Sequence, residues 1–439
     1  MSGSLSSLNT ALTALQYQRS ALDTAASNVA NATTEGYTRR RVNGETIGAS
    51  TTPALWSKQS PTGEGVKATS VTRMTDVILD ARSRREHASQ SYLDLRASAL
   101  ARVETGIGEP SDNGVAAALS AFRTSWSDVK NNPSSEAART QVIAKAQTLI
   151  GSISAQVKNV DGEMADQQTR LESTVTDINT IAEQLAATNK NVVSASLNGV
   201  DTSALLDQRD QLAMKLSELS GGTVTIHENG VADVSIGGHD LVTLDSTDPL
   251  DAASLPTGVG GQLGAVQELI TTTLPAYKAG LDGVVTTLAN QVNSLHGTGF
   301  DLNGDAGEPF FSFDAADPAG SLAVAITDPR KLAVASTAGG TLDGSIATQL
   351  AGANDAGSAY QSLVNGFGSQ VASAKGLAGT QRLLTSQVDG ARDQISGVSL
   401  DEEMVGMLAS QRAYEAASRV MTVVDSVLDT LINRTGLLR

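Results

Sequence analysis

The sequence predicts a mainly α-helical protein with coiled-coil helices at both chain ends, a helix-rich second domain and small β-hairpin elements. Three observations carry this reading. At the N-terminus Leu5, Leu8, Leu12, Leu15, Leu22 and Val29 fall three and four residues apart, with Arg19 and Ala26 filling the series, which is a heptad seam. At the other end Leu400, Met407, Tyr414, Met421 and Leu428 recur every seven residues, and Ala417, Val424 and Leu431 supply the second seam position. Between them the apolar residues keep a helical period, except where Thr223–Ile226 and Val231–Ile236 alternate about the turn pair Asn229-Gly230 as hairpin strands do.

The elements follow in order. The N-terminal helix ends at Asn31, Thr33 and Thr34, poor helix-interior residues, and Gly36 can take the positive φ that reverses the chain. Asn131-Asn132-Pro133-Ser134 breaks the chain ahead of a long helix with Leu171, Val175, Ile178, Ile181 and Leu185 on one face, and another helix runs from about Ser203 to Leu219. Gly221-Gly222 introduces the hairpin. A helix from about Gly264 to Leu295 carries Pro275 and Gly280 and is expected to kink or break there. Short strands near Leu322–Ile326 and Ala333–Ala335, Gly/Ala-rich linkers and further helices complete the chain. The expected domains are 1–45 with 396–439, 46–220 with 260–395, and a β element at 221–259.

A terminal helix is marginal alone, because ordering costs roughly 1 to 2 kcal/mol per residue and burying one Leu returns only about 1.5 to 3. The end helices therefore need a partner surface, either within a monomeric bundle or between subunits.

At 439 residues the prior is about three domains. Six Phe, six Tyr and two Trp leave the core aliphatic. A net charge of -16 repels phosphate backbones and anionic lipid, and no basic patch is large enough to offset it, so neither nucleic acid nor membrane is an expected partner. The absence of Cys removes disulfides, thiolate metal sites and Cys nucleophiles, and leaves only His87, His227, His239 and His296 for imidazole chemistry. Apolar runs stay short of the ~18 to 20 residues a bilayer needs, and Met1-Ser-Gly-Ser-Leu lacks the features of a cleaved secretory signal. The expectation is a cytoplasmic protein or one exported without that signal.

Few motifs point to chemistry. Asp301-Leu-Asn303-Gly-Asp305 sets oxygen side chains as a calcium loop would, but Ala306 and Ser312 replace its Gly and bidentate Glu, which favours a polar turn. Gly106-Ile-Gly108 and Gly258-Val-Gly260 lack the third Gly of a dinucleotide fingerprint. The histidines read as solvated or capping. Asp401-Glu402-Glu403 opens the C-terminal helix, where the macrodipole favours negative charge. Arg39-Arg40-Arg41 is the one basic cluster, either a solvated turn or a contact to another subunit's acidic surface. No catalytic, cofactor or metal residues are expected.

The segment Ser27-Asn28-Val-Ala-Asn31-Ala-Thr-Thr-Glu35-Gly36-Tyr37-Thr-Arg39 is more specific, and it resembles the N-terminal motif of axial proteins of the bacterial flagellum, with Glu35 where many members have Pro. Val398–Met404, Gln411–Tyr414 and Asp425–Ile432 look like the matching C-terminal motif. Rod and hook subunits share both ends. In the middle, Leu205-Leu-Asp-Gln-Arg-Asp210, Thr273-Leu-Pro-Ala-Tyr277, and the run from Leu295-His296 through Gly299–Gly304 to Phe310-Phe311 resemble the hook-associated protein 1 family, although many of its members carry a large β-rich insertion after the double Phe.

That resemblance implies an inner domain in which the two end helices pair, and a structural subunit of the hook–filament junction needed for filament assembly, not an enzyme and without a cofactor. It implies export without a cleaved signal peptide, an export chaperone beforehand, and an extracellular ring of about a dozen copies between the hook protein and the next hook-associated protein. Its implied assembly residues are the seam positions above together with Asn28, Asn31, Gly36, Tyr37 and Arg39. The alternatives are another axial subunit, such as a distal rod or hook protein, and a flagellum-associated cell-wall hydrolase.

Overall fold

The computed structural model describes residues 2–47 and 65–430, with side chains from residue 7 onward. Helix α1 (Ser2–Ala30) leads into an antiparallel ribbon, β1 (Arg40–Thr46) with β2 (Val66–Arg73). This ribbon was not expected from the residue pattern. Its strands carry a single buried apolar side chain, Val42, so the alternation that marks a half-buried strand is missing.

Four helices and a small sheet follow. Helix α2 (Val77–Ile107) is capped by Asp76, whose carboxylate accepts from Ile78 N at 2.8 Å and Leu79 N at 3.1 Å, and it stops at left-handed Gly108. Next come α3 (Val115–Asn131), α4 (Glu136–Leu197) and α5 (Ser203–Ser220). Pro133 ends α3 as expected, and Ser135 then caps α4. With 62 residues, α4 spans about 90 Å and is the spine on which the other helices lie.

The hairpin widens into a four-stranded antiparallel sheet in sequential order: β3 (Thr223–Ile226), β4 (Ala232–Ile236), β5 (His239–Thr243) and β6 (Ser246–Thr247). Helix α6 (Gly261–Glu268) starts earlier than the sequence suggested and passes through a π turn at Leu269–Thr273 into α7 (Leu274–Gly297). The interruption sits beside Pro275, which has no N–H to give the preceding turn; Leu274 N donates five residues back, to Leu269 O.

Beyond α7 lie β7 (Phe311–Ser312), α8 (Pro318–Ser321) and β8 (Ala323–Val324), then α9 (Ser345–Gly352) and α10 (Asp355–Ser396). Helix α10 runs antiparallel to α2, with Arg392 Nε 2.7 Å from Asp80 at one end and Lys375 Nζ 3.0 Å from Glu104 towards the other. Helix α11 (Leu400–Asp429) closes the described chain, capped by Ser399.

The core is aliphatic along α4. An aromatic knot interrupts it where Phe122 and Trp126 of α3 meet Phe310 and Phe311 at centroid distances of 4.7 to 6.0 Å. His296 closes this knot. Far from being solvated, it is fully buried: Nδ1 faces Glu308 O at 2.6 Å and Nε2 accepts from Ala333 N at 2.8 Å, and burial pushes its pKa down to about 4. Asp301 heads a turn in which its carboxylate accepts from the backbone N–H groups of Asn303 and Asp305, at 2.8 and 2.9 Å.

Candidate functional site

The two chain ends lie side by side. Helix α11 packs along α1, and the antiparallel sense follows from Asn28, near the end of α1, meeting Glu403, near the start of α11. The β1–β2 ribbon covers another side of α1, close enough that a side chain at Gly44 would meet the Tyr17 ring.

The face that α1 buries is one residue out of step with the leucine seam. Ala11, Ala25 and Asn28 are its buried residues, whereas Leu8, Leu15, Leu22 and Val29 are half-buried flanks and Leu12 is 45% exposed. Alanines let two helices approach closely, but they weigh little in an apolar pattern, so the period was legible and its phase was not. The backbone at Leu5 is helical, while its side chain lies outside the described residues, as does all of Leu431. On α11 the half-buried line is Met407, Ala417, Met421, Val424 and Leu428; Leu400 and Tyr414 share that side by their spacing but are 50% and 39% exposed.

A second apolar line on α11 has no cover among the described residues. Met404, Val405, Leu408, Val420, Val423 and Val427 are 47 to 70% exposed and share one side of the helix.

At the base of this pair the turn after α1 becomes a polar joint. Asn28 is 1% exposed and has every polar atom occupied: Nδ2 donates to Arg40 O at 2.9 Å and to Glu403 Oε2 at 3.0 Å, while Oδ1 accepts from Tyr37 OH at 2.8 Å and Arg40 N at 3.0 Å. Asn31 donates to Ser27 O at 2.9 Å and so ends α1. Gly36 turns the chain at φ +73°, pressed against the Gln211 side chain, which donates to Glu35 O. The guanidinium of Arg40 lies 5.1 Å from the Tyr37 ring centroid.

Two of the three clustered arginines, Arg39 and Arg40, find partners within the chain, while Arg41 is exposed. Arg39 donates from Nε to Glu403 at 2.7 Å and from Nη1 to Glu402 at 2.9 Å, and its backbone N–H reaches Ser396 O at 2.8 Å. Arg40 reaches Asp207 at 3.3 Å. Arg73, at the end of the ribbon, donates to Asp207 at 2.8 Å and to Asp210 at 2.7 Å, and Arg209 holds Asp210 from the other side at 2.6 Å. Glu402 and Glu403 are therefore ion-pair partners as well as helix-end charges. The run Leu205–Asp210 supplies the carboxylates that fasten the terminal pair to α5. For Arg39 and Arg40 the acidic partners lie in the same chain instead of in solvent or on another subunit, and Arg73 carried no signal.

Above the joint, His87 of α2 lies between two carboxylates, Nδ1 3.0 Å from Glu218 of α5 and Nε2 2.9 Å from Asp389 of α10. The bond to Glu218 raises its pKa most; Asp389 adds to the rise and partial burial opposes it. Here too the solvated reading gives way to a bridging one. His227 contacts Asp233 at 2.7 Å and His239 contacts Asp248 O at 2.8 Å. Among the described residues no group of three or more His, Cys, Asp or Glu could hold a metal, and no helix is long and apolar enough to cross a membrane.

Comparison with known proteins divides the chain as the geometry does. The profile described as "Flagellar hook-associated protein FlgK helical domain" matches residues 100–311, "Flagella basal body rod protein" matches 8–38, and "Flagellar basal body rod FlgEFG protein C-terminal" matches 392–434. Flagellar hook-associated protein 1 of Bacillus subtilis is 29% identical over 505 residues, covering 99% of both chains. That of Escherichia coli is 25% identical, covering 97% of this chain and 99% of its own. Among solved structures, the flagellar hook junction protein FlgK from Burkholderia pseudomallei superposes with a TM-score of 0.64 at 17% identity, over 72% of this chain and 100% of that one, a likeness of fold.

Proposed function

Since the chain belongs to the flagellar hook-associated protein 1 family, we propose that it is the structural subunit that joins hook to filament and is needed for filament assembly. One observation carries the reading: rod-type ends, shared along the flagellar axis, flank a helical domain of the hook-associated type in a single chain aligned almost end to end with its relatives. The helical domain is what separates it from a distal rod or hook subunit.

Its partners are copies of itself in a ring, the hook protein on one side, the next hook-associated protein on the other, and an export chaperone before secretion. The place of work is outside the cell, reached without a cleaved signal peptide. Its relatives are structural flagellar proteins, and this chain acts as one, without a reaction of its own. The uncovered apolar line on α11 supplies contact area between subunits, since such a stripe gains stability only when a neighbour covers it. The joint at Asn28 keeps that contact in fixed orientation to the helical domain.

A deletion strain tests this. Cells lacking the gene should make hooks without filaments and shed flagellin into the medium, and the intact gene should restore filaments. Normal filaments in the deletion strain would refute the reading.

A further inference from the structure

A groove of about 900 Å³ runs between the start of α2 and the sheet, and no residue of the Asn28 joint lines it. Val77 and Ile78, 68% and 79% exposed, line it together with Val224 of β3. Cations lie among these apolar walls. Arg84 is only 7% exposed, lines the groove, and makes no hydrogen bond or ion pair with any described residue. Its neighbours are satisfied: Arg73, Arg209 and Arg392 all hold carboxylates. Asp210 and Asp80 favour the charge of Arg84 without touching it, and burial opposes that charge more strongly. Arg85 is exposed on the rim and equally unpaired among the described residues.

Two backbone features face the same space. Helix α6 opens on it at Gly260 and Gly261 with no side chain capping its N-terminus, a place where negative charge is favoured. Strand β3 pairs with β4 on one side only, and its other edge is free among the described residues. A buried cation without a partner costs several kcal/mol, so the groove is built for an anion. A free strand edge beside apolar walls is built for an extended chain.

We propose that this groove docks an extended acidic segment of a partner protein, a carboxylate meeting Arg84 and the backbone running along the free edge of β3. Alternate side chains of the segment rest on Val77, Ile78 and Val224. The docking is independent of the junction role, because a chain that fails to build filaments can still be titrated with peptide.

The test is calorimetric titration of the purified full chain with a blocked peptide of alternating Glu and Val, its Gln/Val counterpart, and inorganic phosphate. The acidic peptide should bind at least about tenfold more tightly than the Gln form. It should slow amide exchange at Thr223–Ile226, and Arg84→Met and Ile78→Asp should each weaken it by about tenfold. Ile78 is so exposed that Ile78→Asp leaves the fold intact, and it decides the matter alone if Arg84→Met does not fold. Equal affinity for the Gln peptide overturns the proposal, as does unchanged binding by Ile78→Asp or absence of binding at about millimolar peptide. Phosphate binding without peptide binding would mark a simple anion site. Loss of self-association in Ile78→Asp with peptide affinity untouched would make the occupant a second copy, and the proposal would again fall.

Discussion

Asn28 and Glu403 stand 375 residues apart in the chain and are joined by a buried hydrogen bond, Nδ2 of the amide donating to Oε2 of the carboxylate at 3.0 Å. The same amide also holds Tyr37 and both backbone groups of Arg40.

Replacing Asn28 should therefore release the stem more than it disturbs the body. Asn28→Ala strands a buried carboxylate oxygen, the Tyr37 hydroxyl and the Arg40 N–H, at a cost of about 2 to 4 kcal/mol. Limited proteolysis should cut α1 and α11 faster while the α2–α10 body resists as before. Equal resistance of the ends in mutant and parent would count against the joint.

At Gly36 the φ of +73° and the Gln211 side chain leave no room for a Cβ. Gly36→Ala should cost roughly 1 to 2 kcal/mol from backbone strain, with the collision added. Adding Gln211→Ala should recover the collision part alone. Thermal unfolding of the single and double variants separates the two; identical melting of parent and Gly36→Ala would exclude both.

Met421→Asp places a carboxylate on the half-buried line of α11 that faces α1. Burying that charge costs several kcal/mol or forces protonation, while the body has its own core and should melt unchanged. The expected phenotype is a soluble, secreted protein and cells with bare hooks. Normal filaments would contradict the seam, and global unfolding would place Met421 in the core of a monomer.

Two histidines bend the pH profile in opposite senses. The folded pKa of His87 is raised by Glu218 and Asp389, so its stabilisation is complete below the unfolded value of about 6.5 and is lost as pH rises through the folded value. His296 is pushed down to about 4 by burial, so the unfolded chain binds the extra proton between about 6.5 and 4, and stability falls as pH drops through that window, by on the order of 3 kcal/mol in total. Denaturant unfolding across pH should show His87→Gln flattening the alkaline side only. A steeper alkaline limb in that variant would reverse the assignment.

Much of this was legible from residues close together in sequence. Heptads mark α1 and α11, and the breaker Asn131–Ser134 marks the approach to α4. Alternation marks β3 and β4. Where burial is set by distant chain, local signals fail. The phase of the α1 seam depends on what covers Ala11 and Ala25, the strand Arg40–Thr46 is stabilised by α1 and by its partner more than by its own pattern, and His296 reads as a helix end until Phe310 closes over it. At the joint, the sequence singles out Asn28, Gly36, Tyr37 and Arg39 but not their connections within the chain, since Arg39 meets Glu403 from 364 positions away.

The antiparallel pairing of α1 with α11 also sets an order of events. One of these helices is made first and the other last, so for most of synthesis the early one has no mate. Closing a flexible loop of that length costs about 5 kcal/mol, which a slender alanine-faced contact is poorly placed to offset. Once α2 and α10 zip together, the span left to close shrinks to residues 31–76 and 397–399, and the penalty falls by about 2 kcal/mol. Closure of the stem is thus favoured after the body has folded, so the α1–α11 contact should form late and open early.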